Sequence, residues 1–311
     1  MNILVSGSLA YDRIMNFDGC FKEHILPDKI HVLNVSFNVE KFRQSYGGTA
    51  GNIAYSLTLL GENPIVLSAY GNDFDGYKAW CMKNNINIKF CRSVANVATG
   101  SVYIITDKDD NQIAGFFVGA MKNTSLTPPA KFFGKSTIGI VSPGNVVDMR
   151  KYPQLYKKTK TPYIFDPGQQ LPALSQRDLI SGIQGSMALI TNDYELVYIL
   201  NKMRLSMKDL LSMSDMVVNT KGDKGSAIIT KDKKFIIPPA KPKNTSDPTG
   251  AGDAYRAGFI KGLINGYPLP KVGRLAAVVS VYTVEEYGTQ THKFTWAELQ
   301  KRYYQNFREK L

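Results

Sequence analysis

The sequence predicts a doubly wound α/β domain, a mostly parallel sheet flanked by helices, with a small β-sheet lid. Two observations predict it. From about residue 60 onward, short β-branched apolar runs alternate with segments of helical periodicity, the pattern of successive βαβ units. Within the first 120 residues that alternation is broken twice, over 11–42 and 99–117, by strand-like runs joined by turns with no crossover helix.

Taken in order, residues 3–8 read as a buried first strand that ends shortly before Asp12. Residues 65–70 read as a strand and 75–84 as a helix. A strand over 138–142 precedes a helix over 146–158, and a further strand follows at 163–166. Residues 187–191 form a strand that feeds a helix over 193–201. In the second interruption, 101–106 and 112–117 are β-branched and aromatic runs separated by the polar residues 108–111, the form of a hairpin. As an insertion in an α/β frame, the two segments fit a lid over a site. Edge strands of one continuous sheet remain the alternative.

With 311 residues and 43% hydrophobic content, the chain can build one large core, so 1–311 is expected to be a single domain carrying the lid. Cys20, Cys81 and Cys91 are odd in number and contain no CxxC pair, which fits reduced thiols rather than a disulfide framework. The first ten residues show no basic leader, and the apolar run 275–284 is far short of a membrane span. A soluble cytoplasmic protein with no membrane partner is the expectation. The net charge of +12 is spread over scattered lysines, without a basic stripe interleaved with aromatics, so no nucleic-acid partner is expected. A positive field of this kind suits an anionic nucleotide substrate. His24, His31 and His292 show no ligand spacing and read as surface or lid residues. Monomer and homodimer are both compatible with the sequence.

The strongest chemical signal is Asp247-Pro-Thr-Gly-Ala-Gly-Asp253, followed by apolar residues at helical spacing (Tyr255, Phe259, Leu263). Gly250, Ala251 and Gly252 would form a turn that opens a helix, leaving unpaired N–H groups at its positive end, an anion site suited to a phosphoryl group. Asp253 there could cap the helix, worth roughly 0.5–1 kcal/mol, or serve as base for an acceptor hydroxyl. No GxxxxGK[ST] run is present, and Gly250 and Gly252 lack the third glycine and the early position of a dinucleotide fingerprint. A second cluster, Tyr46-Gly-Gly-Thr-Ala-Gly-Asn52, also leads into a helix; close helix packing and backbone opened to a ligand both explain it. Asp12, a lone aspartate at a strand end, reads first as a turn residue, with a ligand group as the alternative.

The two glycine-rich regions, with Asn192-Asp-Tyr-Glu195 between them, match in order and spacing the motifs of the ribokinase-like carbohydrate and nucleoside kinases. The resemblance covers nearly the whole chain. Within the family it looks closest to the bacterial adenosine kinases, through Gly7-Ser-Leu-Ala-Tyr-Asp12, Asn34-Val-Ser-Phe37, Gly115-Phe-Phe-Val-Gly-Ala-Met121, Asp166-Pro-Gly-Gln-Gln-Leu171 and Gly288-Thr-Gln290. It implies that Asp12 accepts hydrogen bonds from two ribose hydroxyls, with Gly48 and Asn52 completing the sugar pocket. Ser36, Gln169 and Gln170 would reach the nucleoside, and Phe116 would stack on the base. Asn192 and Glu195 would organise Mg²⁺ through water, while Thr220, Gly222 and Gly225 would line the ATP site. Asp247 and Thr249 fall where the family often binds a monovalent cation such as K⁺. Val102 departs from the pattern, standing where related adenosine kinases can carry an aromatic over the other face of the base. The sandwich would then be one-sided, or completed by Tyr103 or Phe117.

The reaction this implies is transfer of the γ-phosphoryl of ATP to the 5′-hydroxyl of adenosine, with Asp253 as base and the N–H groups of Ala251, Gly252 and Asp253 as anion hole. An aspartate of ordinary pKa, about 4, is a weak base, but a loose transition state asks for the proton late. A sugar or sugar-phosphate kinase of the same fold is the alternative acceptor reading, and a non-catalytic nucleotide sensor the alternative class.

Overall fold

The computed structural model describes residues 1–109 and 111–311; Asp110, in the turn expected between two lid strands, lies outside them. The main sheet contains β1 (Asn2–Ser6), β4 (Pro64–Leu67), β9 (Thr137–Val141), β10 (Tyr163–Phe165), β11 (Ala188–Asn192), β12 (Met216–Thr220), β13 (Ser226–Thr230) and β14 (Lys234–Ile237). Its spatial order is β14-β13-β12-β11-β10-β9-β1-β4. All neighbours from β4 to β12 pair in parallel; β13 and β14 run antiparallel. The chain leaves β1 for β4 on one side and returns to β9 on the other. The strand order therefore reverses between β1 and β9, where a doubly wound sheet opens a ligand crevice at the carboxyl ends of its strands.

Strand periodicity divides the interior into two cores. Ile3, Val5, Ile138, Ile140 and Ile190 face one side, covered by α1 (Thr49–Leu59), α7 (Ala251–Ile264), α8 (Leu269–Val284) and α9 (Trp296–Phe307). α2 (Asp75–Lys83) extends that side through Tyr77 and Cys81. Leu4, Val141, Leu189 and Val217 face the other, covered by α3 (Val146–Thr159), α4 (Gln176–Ile183), α5 (Asp193–Met203) and α6 (Met207–Met213). Among the described residues no helix is long and apolar enough to cross a membrane.

The lid is a sheet of its own, not an edge of the main one. It orders β3 (Val39–Gly47), β2 (Ala10–Phe17), β7 (Gly100–Thr106) and β8 (Gln112–Phe117). The expected hairpin is present as β7 and β8, paired antiparallel from Ser101 opposite Phe117. The chain passes from β1 into β2 through three residues, so Asp12 rides on the lid. The third lid strand runs on to Gly47, beyond the expected limit at 42, and joins the lid to the glycine cluster.

Two expectations need correction. The strand expected over 65–70 divides at Ser68: 64–67 stays in the main sheet, while β5 (Ala69–Tyr70) turns away to pair with β6 (Arg92–Ser93). His292 is buried rather than at the surface, packed edge-on against Tyr55 beside Ser56 and Thr283; burial pushes its pKa down to about 4.

α7 and α8 approach closely because Gly258 and Gly262 have no side chain. A Cβ at Gly258 would stand 2.7 Å from the Ala276 Cα. In Gly258→Ala, higher helix propensity gains roughly 0.5–1 kcal/mol, while forcing the backbones apart costs about 1–3 kcal/mol. The clash should win, and chemical denaturation should show a net loss of stability.

Candidate active site

Helix α7 starts where the sequence places it because Gly250 takes φ +79° as N-cap. The Ala254 N–H donates to the Gly250 carbonyl at 2.9 Å and closes the first turn. The Ala251 N–H donates to the Pro248 carbonyl at 3.2 Å, so the expected three-donor hole is reduced to Gly252 and Asp253, whose N–H groups find no acceptor among the described residues. Two free donors at a helix N-terminus still form an anion site.

Two cavities meet at this point. One, of about 460 Å³, lies under the lid and is lined by Asp12, Gly48, Asn52, Phe116, Gln169, Gln170, Thr249, Gly250 and Asp253, together with Val102 and Thr289. The other, of about 480 Å³, lies between α7, α8 and the loop after β12, and is lined by Thr220, Gly222, Gly225, Ala251, Gly252 and Tyr255. Gly225 has φ +85°, and a Cβ there would meet the Ile237 carbonyl at 2.2 Å. The structure thus brings most sequence-selected residues into two adjoining chambers. Ser36 is not among the lining residues of either; it stands exposed in the loop before β3.

Lid register decides what faces the first chamber. Val102 and Phe116 are cross-strand partners and so share one face. Tyr103 and Phe117 fall on the opposite face by the strand period of two, and Tyr103 is instead hydrogen-bonded to Arg13. Neither therefore completes a base sandwich in this arrangement.

The carboxylates are held by specific neighbours. Asn52 Nδ2 donates to Asp253 Oδ2 at 2.8 Å, linking the two glycine clusters. Asp253 opens partly to the chamber, yet burial raises its pKa to about 7; Arg256 and the Asn52 bond pull it down, while Asp166 and Asp12 push it up. This corrects the expectation of an ordinary carboxylate. Burial, then the charge of Asp247, raises Asp12 to about 6. Asp12 also explains Gly47, where a Cβ would sit 2.4 Å from Asp12 Oδ2. Gly48, at φ +86°, has backbone of Ser8 and Ala10 within 2.7 Å of its would-be Cβ.

Asn192 and Glu195 form a reciprocal capping box at the start of α5, with Glu195 N–H donating to Asn192 Oδ1 at 2.8 Å and Asn192 N–H to Glu195 Oε2 at 2.9 Å. The Glu195 carboxyl is pushed up by burial and by Asp166. Asp247 accepts N–H bonds from Thr249 at 2.9 Å and Gly288 at 3.1 Å, bracing the loop that enters α7. Among the described residues no group of three or more His, Cys, Asp or Glu side chains converges as a metal cage.

Sequence reasoning missed Arg256, one turn along α7 from Asp253. Its guanidinium is buried, bound through two donors to Asp166 at 2.5 and 2.7 Å, and Nη1 donates to the Gly252 carbonyl at 2.9 Å. The available signal was an arginine in an otherwise apolar helix, together with an aspartate at the end of a strand. Asp166→Asn should leave this buried cation without its counter-charge and cost about 3–5 kcal/mol of folding stability, read as a lower unfolding midpoint.

Comparisons with known proteins agree with this geometry. The chain is 36% identical to a nucleoside kinase of Methanocaldococcus jannaschii over 285 residues, covering 87% of this chain and 93% of the relative. Burkholderia thailandensis nucleoside kinase in complex with inosine superposes with a TM-score of 0.86 at 31% identity over 99% of both chains. The same enzyme in complex with ADP-inosine gives 0.84 at 33% identity, over 99% of this chain and 97% of the other. Residues 3–296 match the pfkB family of carbohydrate kinases, and with a two-chamber site meeting at a helix N-terminus the chain is a member of that family, a phosphotransferase acting on a hydroxyl group of a nucleoside or sugar with ATP as co-substrate.

Proposed function

We propose that this kinase phosphorylates the 5′-hydroxyl of adenosine, giving AMP and ADP. The observation that carries this reading is the lining of the chamber under the lid. It has a carboxylate, Asp12, to grip a cis-diol, an aromatic, Phe116, to lie against a base, and among the described residues no lysine or arginine to hold an acceptor phosphate. Gln169 and Gln170 face the same space, and amides can both donate and accept. That versatility favours a second purine nucleoside, inosine, which is bound by the Burkholderia thailandensis enzyme.

In the proposed mechanism Asp253 accepts the 5′-hydroxyl proton as the new O–P bond forms and the bond to the ADP oxygen breaks. The N–H groups of Gly252 and Asp253 bind the equatorial oxygens of the transferring group. ATP occupies the chamber of Thr220, Gly222 and Gly225. Asn192 and Glu195, at the start of α5, would hold Mg²⁺ through water, and Asp247 with Thr249 would hold a monovalent cation such as K⁺. Mg²⁺ would neutralise charge on the phosphates. Closure of the lid would exclude water and limit ATP hydrolysis.

An acceptor panel tests the reading. Adenosine should exceed ribose in kcat/KM by at least about tenfold, since ribose forfeits the base contact, and fructose 6-phosphate should turn over poorly; a preference for the sugar phosphate would sink it. For Asp253, the raised pKa fixes the sign of the pH dependence: kcat/KM should fall as pH drops through about 7, because the base becomes protonated. Asp253→Asn should fold normally and lose most turnover, and near-normal activity would remove the base assignment.

A further inference from the structure

Behind Asp253 lies a chain of side-chain hydrogen bonds that reaches away from both substrates. Trp80 Nε1 donates to Gln290 Oε1 at 3.0 Å. Gln290 Nε2 donates to Asn52 Oδ1 at 3.1 Å and to the Tyr77 hydroxyl at 2.5 Å, and that hydroxyl donates to the Gly47 carbonyl at 2.8 Å. Asn52 Nδ2 completes the chain at Asp253 Oδ2, 2.8 Å away. Gln290 is 2% exposed and Asn52 4%, so both side chains are almost wholly withdrawn from solvent. The packing is tight enough that a Cβ at Gly51 would lie 2.0 Å from the Tyr77 oxygen and 2.8 Å from Gln290 Nε2.

The direction of this chain is set by Trp80 and, in the same sense, by the Tyr77 hydroxyl, whose proton is given to the Gly47 carbonyl. An indole N–H can only donate, so Trp80 requires the oxygen of Gln290. Gln290 must then turn its NH₂ to Asn52, and Asn52 must turn its oxygen to Gln290 and its NH₂ to Asp253. A flipped Asn52 would aim a carbonyl at the Asp253 carboxylate, and that pair is tolerable only when Asp253 is protonated. We propose that Gln290 is a positioning residue for phosphoryl transfer: it carries the donor polarity of Trp80 to Asn52 and so keeps Asp253 in its carboxylate form.

The inference rests on the reading of Asp253 as base. The charged groups bearing on Asp253 are Asp12 from the lid, Asp166 from the end of β10, and Arg256 on α7, with Glu195 beside Arg256; Tyr77 is the titratable group facing Gln290. None of them is altered by the substitutions below.

Gln290→Met keeps the bulk and removes the amide. Trp80→Phe keeps Gln290 and removes its indole donor, leaving the Tyr77 hydroxyl as the remaining partner that orients it. Both variants should shift the acid limb of the kcat/KM profile upward by about 0.5–1 pH unit, because a hydrogen bond to the charged form is lost. This appears as a three- to tenfold loss below the limb, with rates recovering above it and KM for the nucleoside within about twofold. In an Asn52→Ala background, Gln290→Met should cause no further shift. A merely structural Gln290 would lower the unfolding temperature and reduce rates evenly across pH. An unshifted acid limb in Trp80→Phe overturns the proposal, even if Gln290→Met is too unstable to assay. Asp253→Asn separates the two ideas. Retained turnover there removes the base itself, whereas lost turnover with unshifted limbs in both variants removes the relay alone.

Discussion

The guanidinium of Arg256 joins the sheet to the start of α7, where the two chambers meet: two donors bind Asp166 at the end of β10, and a third binds the Gly252 carbonyl at the mouth of α7. Gly252 belongs to the wall of one chamber and its neighbour Asp253 to the wall of the other. A displacement of that cation would therefore alter both chambers together. Burying an ion pair seldom adds net stability; here its geometric effect is to fix a helix N-terminus against the carboxyl edge of a parallel sheet.

The same cation shapes the electrostatics. Asp253, Asp166, Glu195 and, from the lid, Asp12 place several carboxyl groups around a small volume, with Arg256 partly compensating. Burial is the main cause that lifts Asp253 toward neutrality; Arg256 draws it back, and Asp166 and Asp12 add smaller upward pushes. A charged ligand in the chamber of Thr220, Gly222 and Gly225 would change that balance, so that chamber and Asp253 are electrostatically linked even without movement.

How much could be read beforehand follows from how local each signal is. Helix α7, the glycine clusters, the lid hairpin and the alternation of strands and helices are written in consecutive residues, and the structure has them. Asp12, Asn52 and Asp253 were legible because each stands at a glycine-marked junction or strand end. Arg256 and Gln290 were not, because their meaning depends on partners 90 and 238 positions away in the chain. The division of 65–70 at Ser68 has the same origin, since it depends on β6 being available to capture the second half. His292 looked like a surface residue because its spacing gave no reason for burial, whereas its position between α1 and α8 did.

The absence of a side chain at Gly47 has an evolutionary consequence. The space a Cβ would need is filled by the Asp12 carboxylate, so positions 12 and 47 share one volume although they lie on different strands. Neither can be enlarged while the other stays as it is. A change that removed the carboxylate would release both positions at once, whereas enlarging either alone would be purged. The pair should therefore be inherited as a unit.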